Sequence, residues 1–221
     1  MSIIYNGKDS LNDFGLYIAS KDIPSPVRKT VTDSVPYMSG LWDFSQDEFE
    51  PIKIKYTFDV TADSKRELSN IKSRLLAWIN NPSKDGMLFD TDISTTEHFK
   101  VYHAAAAWSS EDLQGLLTAE FTCYPFTIRE ESVTFEFTTE YKNFNIVSTG
   151  RPITPIITVE GGSIYIKIFN GKTDAREYGL STGTFTNVFT IPAGRTSNTR
   201  LRRASGETVK VTVNWIVEGY A

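Results

Sequence analysis

The stretch IKIKYTFDV, residues 52–60, decides the fold class. Apolar side chains stand at every second position, and lysine, threonine or aspartate stands between them. Side chains of a β-strand point alternately to its two faces, so this pattern predicts a strand with one buried face and one exposed face. The same alternation recurs over residues 133–137, 164–168 and 209–215. The chain is therefore predicted to consist mainly of such strands.

Turn signals separate the alternating runs. Most pair a glycine with a small or polar residue, a composition that suits the backbone conformations of tight turns. They are Asn6-Gly7, Asp85-Gly86, Gly161-Gly162, Asn170-Gly171, Gly183, Ala193-Gly194 and Ser205-Gly206. Regular alternation of strands and turns along most of the chain predicts sandwiches or barrels.

One segment, residues 64–81, has helical periodicity instead. Its apolar stripe consists of Leu68, Ile71, Leu75, Trp78 and Ile79. Basic residues lie on the other side of the predicted helix. Ser64 followed by Glu67 forms a capping box, and Asn80-Asn81-Pro82 ends the pattern. We predict a single amphipathic helix of about four turns, packed on a sheet.

The composition is that of an ordinary globular protein. The 221 residues are 40% apolar and 23% charged, which suffices for a large core without disulfides. The net charge of −4 argues against binding that depends on neutralising phosphates. The one cysteine, Cys123, cannot form an intrachain disulfide, which fits folding in a reducing compartment. Intrinsic disorder, a collagen-like rod and a disulfide-rich toxin are excluded.

The distribution of charge divides the chain near residue 130. Residues 1–129 carry a net charge of −5 and contain the predicted helix. Residues 130–221 carry a net charge of +1 and show no helical pattern. We predict a mainly β protein with an α+β domain over residues 1–135 and an all-β sandwich domain over residues 136–221.

Catalytic motifs occur only as fragments. Residues 179–183, GLSTG, match the G-x-S-x-G nucleophile elbow, but no helical pattern follows and both histidines precede the serine. A turn between two strands is the favoured interpretation. His98 and His103 lie five positions apart in a predicted strand, so they point to opposite faces and cannot share a metal ion.

Other reactive groups also have structural interpretations. Asp90 and Asp92 resemble the start of a calcium loop, but Thr95 and Val101 stand where a glycine and a bidentate glutamate are needed. Cys123 lies in an apolar run, which predicts a buried packing residue. We therefore expect no enzymatic activity, no metal and no cofactor, although carboxylates distant in sequence could still converge.

Four arginines form a local basic cluster: Arg195, Arg200, Arg202 and Arg203. Two interpretations are open. The cluster is either the solvated flank of a hairpin in a late loop, or a surface that docks an acidic partner, such as the acidic first domain of a neighbouring copy.

The first residues lack both the basic region and the apolar region of a signal peptide. No uncharged stretch is long enough to span a bilayer. We expect synthesis in a cytoplasm, no membrane insertion and no sequence-specific recognition of nucleic acid.

A series of short motifs along the chain resembles a known family. The motifs are YNGKDS (5–10), FGL (14–16), IPSPVRK (23–29), VP (35–36), WDFS (42–45), LFD (88–90), FTCYPF (121–126), PITPIITVEG (152–161) and NG (170–171). In this order they resemble the distal tail proteins, the Dit family, of bacteriophages with long non-contractile tails. Tyr37, Met38 and Trp42 depart from the family pattern, and the region of about 172–208 does not align with it.

The resemblance implies a structural virion protein at the distal end of the phage tail. Distal tail proteins form a hexameric ring that joins the tail tube on one face to the tail-tip protein on the other, with a central channel for DNA. The first domains would form that ring. The second domain, a β-sandwich of galectin-like shape, would project outward and could carry receptor-binding or other baseplate proteins.

A proline-rich arm, residues 20–46, contains the candidate oligomer contacts: Pro24, Pro26, Pro36, Tyr37, Met38, Leu41, Trp42 and Phe44. Proline disfavours a central strand, and exposed apolar residues are costly in a monomer. Closing a ring needs two different patches on each copy, so the arm could reach a neighbour. The alternative is that the arm packs on its own domain.

The alternative function is a carbohydrate-binding module that attaches to host cell-wall glycans. The all-β second domain could present an aromatic platform, with Tyr165, Tyr178, Trp215 and Tyr220 as candidates. Trp215 alternates in phase with three valines of residues 209–213, which favours a place in the core.

Overall fold

The computed structural model describes residues 1–30, 32–34, 41–43, 48–81, 86–137, 141–148, 151–170, 174–205 and 208–220. Within these residues the chain forms antiparallel sheets and one α-helix. The predicted mainly β class is confirmed. The chain folds into two compact units: the first comprises Met1–Thr127 with Tyr220–Ala221, and the second comprises Ile128–Gly219.

The first unit contains eight strands among its described residues and the first part of a ninth strand, which continues into the second unit. Its elements are β1 Ile3–Tyr5, β2 Lys8–Asp9, β3 Ile18–Asp22, β4 Thr32–Ser34, β5 Leu41–Asp43, β6 Ile52–Thr61, α1 Lys65–Asn80, β7 Met87–Asp90, β8 His98–Glu111 and the first part of β9, Gln114–Phe137. Strand β9 is shared by both units.

Strand β6 carries the pattern that decides the fold class. It pairs antiparallel with β9, from Ile52 opposite Cys123 to Thr61 opposite Gln114. All five apolar side chains at the even positions of residues 52–60 are buried. The predicted strand with one buried face is confirmed, and that face forms the centre of the first unit's core.

Helix α1 packs its apolar stripe into the same core. Ser64 is the N-cap, and its hydroxyl accepts a hydrogen bond from the Glu67 amide at 3.2 Å. Four residues of the predicted stripe are buried: Leu68, Leu75, Trp78 and Ile79. The indole Nε1 of Trp78 donates to the Tyr5 carbonyl oxygen at 2.7 Å, which holds the helix against β1. The predicted helix on a sheet is confirmed.

Strands β4 and β5 form a small sheet of their own. Asp33 lies opposite Trp42, and Ser34 lies opposite Leu41. Among the described residues this sheet has no third strand. We call these two paired strands, residues 32–34 and 41–43, the hairpin-like excursion.

The second unit is built from two four-stranded layers. Its further strands are β10 Tyr141–Val147, β11 Ile156–Glu160, β12 Ser163–Asn170, β13 Asp174–Leu180, β14 Gly183–Phe185, β15 Thr196–Ser205 and β16 Val209–Gly219. One layer has the order β14-β11-β16-β9, and the other has the order β10-β15-β12-β13. Side chains of both layers, such as Val211 and Ile166, share one buried core. This arrangement is a β-sandwich.

Candidate functional site

Residues 28 and 29 of the proline-rich arm pair with residues 48 and 49. An isolated bridge joins Arg28 to Phe49, and the Lys29 amide donates to the Glu48 carbonyl oxygen at 2.9 Å. The Phe49 ring meets Phe126 edge-on, with 4.8 Å between ring centroids. Backbone pairing and one buried aromatic contact therefore anchor the start of the hairpin-like excursion.

The structure describes only part of the predicted oligomer contact. Pro24 is exposed and Pro26 is half-buried, and beside them the Val27 side chain is 61% exposed. Leu41 and Trp42 are described by their backbone alone, as members of β5. Pro36, Tyr37, Met38 and Phe44 lie outside the described residues. Whether the arm contacts a neighbour stays a prediction.

The basic cluster lies on a strand rather than in a loop. Arg200, Arg202 and Arg203 belong to β15, an inner strand of the second unit, and Arg195 directly precedes it. Arg200 and Arg202 are exposed on one face of the sheet, whereas the neighbouring Arg203 is half-buried. The cluster is therefore split between surfaces by the alternation of the strand.

Arg200 and Arg202 stand at the middle of a regular grid on the outer face of β10, β15 and β12. Each row of the grid contains one residue from each strand, directly opposite one another. The rows are Tyr141, Arg202 and Tyr165; Asn143, Arg200 and Lys167; and Asn145, Asn198 and Phe169. We call these nine residues the arginine face.

Cations lie over the aromatic rings of the arginine face. The Arg202 guanidinium carbon is 4.6 Å from the centroid of the Tyr165 ring. The Arg200 guanidinium carbon is 5.5 Å from Phe169 and 5.8 Å from Tyr141. Lys167 Nζ lies 5.6 Å from the same Phe169 ring. These cation–π contacts hold the charged groups in place above the sheet.

One carboxylate borders the arginine face. Glu177 lies on β13 opposite Lys167, and its Oε1 accepts from Arg202 Nη2 at 3.3 Å. Arg200 donates through Nε to Asn143 Oδ1 at 3.1 Å. Among the described residues neither Arg200 nor Lys167 has an acidic partner within 4.0 Å. Two cations of the face thus have no ion pair among the described residues, although Glu177 lies opposite Lys167 in register.

Comparison with solved structures finds a similar fold. No family model matches the chain, and no curated protein matches its sequence. The crystal structure of the Dit protein of phage SPP1 (gp 19.1), described as a paradigm of the hub adsorption apparatus in phages that infect Gram-positive bacteria, is similar over 98% of both chains, with a TM-score of 0.63 and 14% identity. The chain therefore has a Dit-like fold.

Two further structures match only weakly. They are the cupin domain of CENP-C from Drosophila melanogaster and the same fly protein bound to CAL1, with TM-scores of 0.26 and 0.25 and 11% identity each. Each match covers 69% of this chain, and 98% and 99% of the respective fly chain. At such scores they bear on neither fold nor function.

The candidate calcium loop is part of a buried polar cluster. Asp90 ends β7 and is only 2% exposed, and its Oδ2 accepts from the Tyr56 hydroxyl at 3.0 Å. Lys21 Nζ lies 2.6 Å from Asp92 and 3.4 Å from Asp90. Burial lowers the pKa of Lys21, but its hydrogen bond to Asp92 and the charge of Asp90 outweigh that effect and raise the pKa. The carboxylates serve the fold by pairing with lysine and tyrosine.

The other candidate reactive groups, the two histidines, Ser181 and Cys123, do not form a site together. His98 is buried beside Phe89, whereas His103 is exposed, so the two histidines do not meet. Ser181 follows β13 in a turn that leads into β14, as predicted. The Cys123 thiol is buried, and burial raises its pKa to about 12. In the described part of the chain no group of three or more His, Cys, Asp or Glu could hold a metal ion.

An open groove of about 790 Å³ lies within the second unit. Arg151 Nε pairs with Glu218 Oε2 at 2.9 Å in its wall, and Trp215 and Ile216 line it. Its lining contains no histidine or cysteine. The groove offers an ion pair and apolar surface but no nucleophile with an adjacent base.

The proposed aromatic platform for carbohydrate does not assemble. Trp215 is 9% exposed and belongs to the core, which confirms the prediction from its phase. Tyr178 packs against that core, and Tyr220 belongs to the first unit. Of the four candidates, Tyr165 is the one that lies on the arginine face, and the Arg202 guanidinium lies over its ring.

Sequence reasoning missed most of the arginine face. Lys167, Phe169 and Tyr141 lie on strands that are distant in sequence from the arginines, and only the strand register brings them together. Their alternation with buried isoleucines in β12 was the available signal, because it places Tyr165, Lys167 and Phe169 on one exposed face.

No helix among the described residues is long and apolar enough to cross a membrane.

Proposed function

We propose that this chain is a structural protein of a long non-contractile phage tail. Six copies form a ring at the distal tip, which joins the tail tube to the tail-tip proteins and leaves a channel for DNA. The observation that carries the proposal is the likeness to the SPP1 Dit protein over 98% of both chains, since it spans both units rather than one common module. The order of motifs along the sequence supports the same assignment.

The hairpin-like excursion is the proposed contact between copies. A ring requires each copy to offer two different patches. The excursion forms a sheet separate from the main one, and the residues at its base that precede β4, Val27 to Thr30, are exposed. An exposed valine beside other exposed residues is a surface that a neighbouring copy can cover.

The charge of the first unit suits a channel wall. Residues 1–129 carry a net charge of −5, and like charges repel passing phosphates, so the DNA is not held. The second unit then lies available for other baseplate or receptor-binding proteins. The tail tube binds one face of the ring and the tail-tip protein binds the other.

Electron microscopy of the purified chain tests this proposal. We expect particles with sixfold symmetry and a central opening. The variant Val27→Asp places a charge on the proposed contact and is expected to abolish the rings. Ile216→Asp is the matched control, because Ile216 is similarly exposed (50%) but lies on β16 of the second unit. Rings that survive Val27→Asp and fail with Ile216→Asp would contradict the proposed contact, and the absence of rings in the wild type would contradict the function.

A further inference from the structure

The arginine face contains a like-charge pair that has no ion-pair partner within 4.0 Å among the described residues. Lys167 and Arg200 lie directly opposite each other on β12 and β15. Like charges at directly opposite positions of a sheet destabilise it. Glu177, the nearest carboxylate in register, pairs with Arg202 instead. An anion bound between Lys167 and Arg200 would remove the repulsion.

The charged groups are held in position before any ligand arrives. Phe169 lies within 5.6 Å of both Lys167 Nζ and the Arg200 guanidinium carbon, and Asn143 fixes the Arg200 Nε. A guanidinium held in one place loses less conformational entropy when it binds an anion. Cations held in this way therefore bind an anion at a lower entropic cost than mobile, solvated cations would.

Cationic groups lie over the aromatic rings of the arginine face. Arg202 lies over Tyr165, and Arg200 and Lys167 lie over Phe169. A ligand meets guanidinium and ammonium groups first, so charge must be part of what it offers. This distinguishes the arginine face from the aromatic platform expected of a neutral-glycan lectin.

Neutral amides complete the face and indicate hydroxyl groups in the ligand. Asn145 and Asn198 lie opposite each other, are exposed, and have no side-chain hydrogen-bond partner among the described residues. An amide both donates and accepts, as hydroxyl groups require. An acidic peptide side chain satisfies the cations and leaves these amides to water, whereas an acidic sugar chain can engage both.

We propose that the arginine face binds an acidic polysaccharide, a sugar polymer that carries carboxylate or phosphate groups. Its anionic groups contact Lys167, Arg200 and Arg202, and its hydroxyl groups contact Asn143, Asn145 and Asn198. Arg200 and Arg202 are two residues apart on one strand, about 7 Å, so successive charged units of a polymer can engage both. This inference does not depend on the proposed ring.

Binding of defined polymers to the full-length protein tests the proposal. The probes are polygalacturonate and a phosphomannan as acidic sugar polymers, dextran as a neutral polymer, and polyglutamate as an acidic polymer without sugar hydroxyls. We expect one or both acidic sugar polymers to bind at least about tenfold more tightly than dextran and polyglutamate. Tenfold in Kd is a difference of about 1.4 kcal/mol in binding free energy. Binding should weaken as salt rises.

Variants connect that binding to the arginine face. The double variant Lys167→Gln/Arg200→Gln should weaken it by about tenfold or more, because hydrogen bonds to charged groups are lost. Lys210→Gln removes an exposed lysine from β16 in the other layer and should leave the affinity within about twofold. Thermal melting confirms that each variant is folded, and an unchanged oligomeric mass separates this test from that of the ring.

Three outcomes would overturn the proposal. Polyglutamate that binds as tightly as the acidic sugars would indicate an acidic protein partner. Dextran that binds equally would remove the role of charge. Absence of binding to both acidic sugar polymers, or equal losses with Lys210→Gln and the double variant, would show that the arginine face is not the site.

Discussion

The Tyr56 hydroxyl donates a 3.0 Å hydrogen bond to Oδ2 of Asp90, and both side chains are buried. Asp90 Oδ1 accepts in turn from the Asp92 amide at 3.0 Å. Lys21 closes the cluster from β3, with its Nζ 3.4 Å from Asp90. Three strands that are far apart in sequence are thereby tied together by one carboxylate.

Asp90→Asn is expected to lower the free energy of unfolding by about 2 kcal/mol, because it removes the charged group that accepts from the buried Tyr56 hydroxyl and pairs with Lys21. The loss stays below that of a fully buried ion pair because Lys21 retains Asp92. Urea denaturation measures the change. Asp92→Asn is the control, since Asp92 is largely solvent-exposed, and it should cost less. An equal or greater loss in the control would show that Asp90 does not organise the cluster.

Stability should fall in alkaline solution partly through Tyr56. Burial and the charge of Asp90 raise the pKa of this phenol above its ordinary value near 10. Above about pH 10 the unfolded chain releases the proton while the folded chain keeps it, so the free energy of unfolding decreases as pH rises. Tyr56→Phe should show a shallower decrease above pH 10 than the wild type in urea melts. Identical slopes would contradict the assigned role of Tyr56.

Cys123 should be inert in the folded protein. Its thiol is buried, and burial raises its pKa to about 12, so almost no thiolate exists at neutral pH. A disulfide exchange reagent such as dithionitrobenzoate should label it only after urea unfolds the chain. Rapid labelling without denaturant would mean that β9 opens locally or that the thiol is accessible.

Gly161 should tolerate no side chain. Its φ of +79° lies in the left-handed region, and an added Cβ would stand 2.4 Å from the Thr208 carbonyl oxygen. We expect Gly161→Ala to cost about 3 kcal/mol, from the strained backbone and the overlap together. Gly194→Ala is the matched control: its φ is +68°, but the space around it is open, so only about 1 kcal/mol of backbone strain remains. Equal losses in thermal or urea melts would rule out the clash.

Local pattern was enough to predict the parts of the fold that depend on neighbours in sequence. Alternation identified β6 and its buried face, and the stripe from Leu68 to Ile79 identified α1 with its Ser64 cap. The turn at Gly161 was likewise visible in the sequence. In each case the physical cause, side-chain direction or backbone freedom, acts within a few residues.

Features that depend on register could not be predicted from the same patterns. The partners of Asp90 lie 34 and 69 residues away, and the like-charge pair of Lys167 and Arg200 exists only because β12 and β15 align. No turn signal marks the change from the first unit to the second, because strand β9 belongs to both units. The domain boundary at 135/136 stays a prediction.

The mass of the purified protein in solution shows whether the chain assembles into the proposed ring. Static light scattering over a range of protein and salt concentrations gives that mass without reference to shape. We expect a species of about six times the mass of the 24.9 kDa chain, either at every concentration or as the mass approached when the protein is concentrated. A mass of one chain at every concentration and salt would contradict the ring.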